Sequence, residues 1–117
     1  MTILQDSLND LIFYKKSGLT SPYYLVRLFN RITAKEFVFL DQSAVACPFI
    51  SLELNEVGKD GVEDPLTASI KVDTGSYDIY LYDQVSSTNL DYTLTNSLLF
   101  EGEADVYSDE DSDRTFL

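Results

Sequence analysis

Hydrophobic and polar positions alternate with a period of two over much of the chain. In "FISLELN" Ile50, Leu52 and Leu54 oppose Ser51 and Glu53, and in "TASIKVD" Ala68, Ile70 and Val72 oppose Ser69 and Lys71. Each run predicts a half-buried strand. "SYDIYLYD" sets Tyr77, Ile79 and Leu81 against Asp78, Tyr80 and Tyr82, and "LFEGEADVY" sets Phe100, Ala104 and Val106 against Glu101, Glu103 and Asp105. The runs "YYLVRLFN" and "KEFVFLD", joined by "RITA", predict a strand pair that is apolar on both faces. A one-sided sheet would not carry that pattern, so the N-terminal segment or another subunit is expected to cover the second side. In residues 1–20 the positions Ile3, Leu4, Leu8, Leu11 and Ile12 fall near helical spacing, whereas "LIFYKK" also suits a strand. The segment reads as a short helix or arm. "EVGKDGVEDP" is a loop by composition, and "SDEDSDRTFL", residues 108–117, is too charged to bury anything and reads as a mobile acidic tail.

Six or seven short strands with scarcely any helix predict one all-β domain over residues 21–107, an antiparallel β-sandwich. Its sharpest marker is "DTGSYDI", residues 73–79, which resembles the D-x-G-x-Y-x-C pattern of immunoglobulin domains. The resemblance implies an immunoglobulin-like sandwich of about seven strands, with Tyr77 in a tyrosine corner. Ile79 stands at the cysteine position, so an aliphatic side chain replaces the inter-sheet disulfide.

Charge and composition narrow the function. The formal charge of −12 repels phosphate backbones and acidic headgroups, so neither nucleic acid nor membrane is an expected partner. It is uneven: residues 1–40 hold five bases and three acids, net +2, which leaves −14 for residues 41–117. "MTILQDSLNDLIFYKK" has acids before its basic pair and no long apolar run, which predicts neither a secretory signal nor a membrane span. Synthesis in the cytoplasm is expected. The chain has no histidine and one cysteine, Cys47, which reads as a small buried residue without a base to activate it. The acids fall mostly on outward strand positions and in loops, which does not favour a paired-carboxylate cleft. "DGVED" offers Asp60, Glu63 and Asp64 for calcium but lacks the D-x-D-x-D-G spacing. The expected protein is not an enzyme and has no metal and no cofactor. Tyr80, Tyr82 and Tyr92 are suited to ordinary sheet surface, a protein interface or a sugar-stacking platform.

The run Tyr80-Leu-Tyr82-Asp-Gln84, then Asn89-Leu90-Asp91, then Leu99-Phe-Glu101-Gly102, preceded by Pro22-Tyr23-Tyr24-Leu25 and Asn30, resembles small structural proteins of tailed phages infecting Bacteroidetes, including crAss-like phages. The resemblance spans residues 22–107. It implies a virion protein made in the host cytoplasm: a capsid auxiliary or decoration protein, a head-fibre component or a tail-associated component. Its partners would be other virion proteins, a second copy or a capsid or tail protein. The candidate interface residues are Leu8, Leu11 and Ile12 in the N-terminal segment, Tyr23, Leu25, Arg27 and Phe29 in the first apolar strand, and Tyr80, Tyr82 and Tyr92. The competing expectation is a carbohydrate-binding module for host-surface attachment, with a glycan on the tyrosines.

Overall fold

A computed structural model of the chain describes residues 1–13, 23–41, 45–46 and 50–108. Lys15, Lys16, Pro22, Cys47 and the acidic stretch 109–117 lie outside the described residues. Among the described residues nine strands are formed: β1 (Thr2–Leu4), β2 (Ser7–Phe13), β3 (Tyr23–Phe29), β4 (Glu36–Asp41), β5 (Val45–Ala46), β6 (Ile50–Glu56), β7 (Ser69–Ile70), β8 (Gly75–Gln84) and β9 (Ser97–Tyr107). Among the described residues there is no α-helix, only two 3-10 turns at Pro65–Thr67 and Tyr92–Leu94. The protein is all-β and sandwich-like. A five-stranded sheet runs β1-β9-β8-β3-β4, and a second runs β2-β6-β5 with β7 paired to β6. All pairs are antiparallel except β1 with β9 and β6 with β7.

The predicted alternation sets the inner faces. Ile50, Leu52 and Leu54 of β6 are fully or almost fully buried, as are Ile79 and Leu81 of β8. They join Leu11 and Phe13 of β2, Val26 and Leu28 of β3 and Phe39 of β4 in one core between the sheets. Burying each such side chain contributes roughly 1.5–3 kcal/mol. Phe13 and Phe100 meet edge to face at 5.1 Å across the sandwich. Gly102, opposite Ile79, makes room for that ring: a Cβ there would come within 2.9 Å of Phe100.

Tyr77 lies in the core, edge-on to Phe37 at 5.9 Å, and its hydroxyl donates to the Asp73 carbonyl at 2.6 Å. Burial raises its phenol pKa above the ordinary value, and a hydrogen bond with Asn30 partly offsets this. The bond staples the lead-in of β8 onto the sheet and satisfies a hydroxyl that would otherwise be costly to bury.

Two expectations are corrected. The N-terminal segment is neither a helix nor an arm over residues 1–13: β1 extends the first sheet and β2 forms an edge of the second. Asp6, at φ 52°, turns the chain between them. The alternation in β2 was disguised because Asn9, a polar residue, occupies an inward position. Its amide donates to the Leu4 and Ser7 carbonyls at 3.0 and 3.1 Å, and its oxygen accepts from the Leu4 N–H at 2.9 Å. In "TASIKVD" the burial pattern is as expected, but only Ser69–Ile70 pair as strand. Ala68 sits at φ 57° after the first 3-10 turn, and the Lys71 N–H is taken by the Glu63 carboxylate at 2.8 Å.

Candidate functional site

The registers of β4, β3, β8 and β9 place side chains in rows across the outer face of the five-stranded sheet. One row is Leu40, Leu25, Tyr82 and Leu98; the next is Val38, Arg27, Tyr80 and Glu101; the third is Glu36, Phe29, Asp78 and Glu103. The first row explains why β3 and β4 are apolar on both sides. Leu25, Leu40 and Tyr82 form a second small core, against which Tyr23, Val38, Tyr80, Leu66 and Leu90 pack. The second side is thus covered in part by the chain's own loop residues Leu66 and Leu90, where the N-terminal segment or another subunit was expected.

Arg27 is the centre of the middle row. Its guanidinium carbon lies 4.2 Å from the Tyr92 ring centroid, 5.1 Å from that of Tyr80 and 5.2 Å from that of Phe29. Such contacts contribute about 0.5–2 kcal/mol, more as water is excluded. Tyr82 completes the cluster, 5.7 Å from Tyr92 and 6.5 Å from Tyr80. Glu36 approaches Arg27 Nε at 3.4 Å as an ion pair without hydrogen-bond geometry. Burial works against the arginine's charge, yet Glu36, the Tyr82 hydroxyl and Tyr92 outweigh it, so its pKa is raised. The same burial raises the pKa of Tyr82, an effect that Arg27 partly reverses.

The loop between β8 and β9 carries Tyr92 and is built by side-chain to main-chain bonds. The Gln84 amide donates to the Ser86 and Asn89 carbonyls at 2.8 and 3.0 Å, and the Asn89 amide donates to Gln84 Oε1 and the Asp91 carbonyl, both at 2.9 Å. Asp91 caps the second 3-10 turn by accepting from the Thr93 N–H and hydroxyl, which lower its pKa. On this frame the loop exposes Val85 and Leu94, at 67% and 70% of their surface. A loop held this way presents its apolar groups at little entropic cost on binding.

The predicted residues therefore separate. Arg27, Phe29, Tyr80, Tyr82 and Tyr92 converge on one patch. Tyr23 stands half-buried beside it, and Leu25 is fully buried beneath it. Leu8 and Ile12 are exposed on the outer face of the second sheet, outside that patch. Leu11 is fully buried between the sheets, because period two turns it inward while Leu8 and Ile12 face outward, and it is withdrawn as an interface residue. Sequence reasoning missed Glu36, Val85, Leu94 and Leu98; apolar residues in an otherwise polar loop were the available signal. Two of the "DGVED" carboxylates serve local structure: Glu63 accepts from the Lys71 N–H, and Asp64 caps the first 3-10 turn through the Leu66 N–H at 3.3 Å. Among the described residues no group of three or more acids or cysteines is placed to hold a metal ion. Comparison with models of known protein families, with characterised proteins and with solved structures finds no match.

Proposed function

We propose that this chain is a non-enzymatic structural protein of a phage virion, a capsid auxiliary, head-fibre or tail-associated component, acting through the outer face of its five-stranded sheet. The observation that carries the interface reading is the convergence of Phe29, Tyr80 and Tyr92 on Arg27 beside a preformed loop with exposed Val85 and Leu94. Tyrosine and arginine dominate the energetic centres of protein interfaces, and rigid loops lower the entropy lost on docking. The virion assignment rests on the sequence resemblance. We take the sandwich to be of the immunoglobulin type; the sheet order, the parallel β1–β9 pair and the Tyr77 to Asp73 bond support that reading. Co-expression with the structural proteins encoded beside it should yield a stoichiometric complex that Tyr92→Ala with Leu94→Asp disrupts without unfolding the chain. A chain that stays monomeric with all of them, or a complex indifferent to the double variant, overturns the proposal.

One observation favours a carbohydrate-binding alternative. Tyr80 and Tyr82 lie within 28° of parallel, as a stacking platform would require. Tyr82, however, is only 8% exposed, which leaves a sugar little ring face to cover. Glycan binding that Tyr80→Ala abolishes would establish this second reading.

A further inference from the structure

The outer face of the five-stranded sheet changes character along its strands, apolar toward the β8–β9 loop and acidic toward the β3–β4 turn. Asp78 and Glu103 stand directly opposite each other on β8 and β9, an arrangement that costs stability. Arg31 pairs with Asp78. Among the described residues no salt bridge involves Glu101 or Glu103, and Arg31 acts on Glu103 only at longer range. A groove of about 280 Å³ lies at this end; Asp78, Glu103 and Asp105 line it together with one cation, Arg31, and with Ile32, which is 92% exposed.

Resting on the reading of this face as a protein interface, we propose that its partner is a protein segment carrying lysine or arginine beside an apolar residue. The basic head lies over Glu101 and Glu103, and the apolar neighbour packs on Tyr80 and Tyr92. Two observations select this occupant. The chain's formal charge of −12, and the excess of carboxylates over the single cation Arg31 at this end of the face, favour a positive partner and repel an acidic one. The face also meets the same chemical requirement internally, since Arg27 is held by aromatic rings and by Glu36. A basic side chain with an aliphatic stem matches the adjoining groove, where acids lie next to Ile32.

The test uses the full chain and the capped hexapeptide Arg-Leu-Arg-Leu-Arg-Leu, with the citrulline peptide as its uncharged counterpart. Calorimetry should show the citrulline peptide binding at least tenfold more weakly. Glu101→Gln with Glu103→Gln should weaken the arginine peptide at least tenfold while leaving the thermal midpoint unchanged or higher. Asp10→Asn with Glu53→Gln is the control, because that pair also opposes two acids across strands, on the second sheet and outside the lining of the groove. It removes the same charge and should weaken binding less than threefold. Equal losses in the two double variants, or equal binding of the two peptides, would overturn the inference. If no arginine peptide binds while the complex lost in the Tyr92→Ala, Leu94→Asp variant persists in wild type, the partner chemistry is wrong and the interface reading stands.

Discussion

At the scale of single residues, Glu56 and Ala34 make opposite predictions. Glu56 is 2% exposed and accepts from the main-chain N–H groups of Asp6 at 3.1 Å, Val72 at 2.6 Å and Gly58. One carboxylate thereby ties the β1–β2 turn, the end of β6 and the lead-in of β8. Oε1 serves Asp6 and Gly58 and Oε2 serves Val72, so Glu56→Gln must turn an amide N–H₂ toward a main-chain N–H. The cost should be about 1–3 kcal/mol, read as a lower urea midpoint with unchanged slope. Ala34 is exposed at φ 59° in the β3–β4 turn, a conformation that glycine adopts without strain. Ala34→Gly should therefore raise stability, by up to about 1 kcal/mol, although glycine is normally the weaker choice. A lower thermal midpoint would contradict the strain at this position. Neither effect was legible in the sequence. Glu56 follows an alternating strand as one more acid, and nothing in "RITAKEF" marks Ala34 as left-handed.

Elements were legible where one face alone is buried. Ile50, Leu52 and Leu54 announced β6, and Tyr77, Ile79 and Leu81 announced β8, because each run sorts its side chains between core and solvent. β2 was lost because the inward Asn9 is polar and the outward Leu8 and Ile12 are apolar, which inverts the usual signal at three positions. The candidate site was half legible. Period two placed Arg27 with Phe29, and Tyr80 with Tyr82, on common faces; only the strand register sets Arg27 opposite Tyr80. Tyr92 then arrives from a loop whose path depends on Gln84 and Asn89. For β3 the consequence is testable. Arg27 is largely desolvated, its Nε makes no hydrogen bond, and Glu36 remains 38% exposed and able to solvate alone. Arg27→Met should lower stability by no more than about 2 kcal/mol in chemical denaturation, since the ring contacts it removes are offset in part by relief of the guanidinium's desolvation and by an apolar side chain of similar length. A loss of several kcal/mol would make Arg27 a structural keystone instead of a residue kept for its place on the proposed interface.

For the whole molecule, the governing facts are an excess of acids and tyrosines buried in the neutral form. The 20 acids face 8 bases, and two of the ion pairs, Arg31 with Asp78 and Lys35 with Asp73, involve basic side chains that are mostly exposed and contribute little. Screening should therefore relieve more repulsion than it removes attraction, and added salt should raise the thermal midpoint at pH 7. Alkali acts in the other direction. Tyr24 and Tyr82 have pKa values raised by burial, as does Tyr77; Asp83 adds to the effect at Tyr24, while Arg27 opposes it at Tyr82. The unfolded phenols ionise near 10.0, so the unfolded chain releases protons that the folded chain still holds. The stability contributed by these three tyrosines is complete below about pH 10 and is lost as pH rises from there through their folded values. Following tyrosinate absorbance and far-ultraviolet circular dichroism together should show these phenols ionising above pH 10, with the loss of sheet signal. High salt should move that loss to higher pH by screening the added negative charge. Ionisation of all three near pH 10 with the sheets intact would mean that these hydroxyls are not held as the packing of the two cores requires.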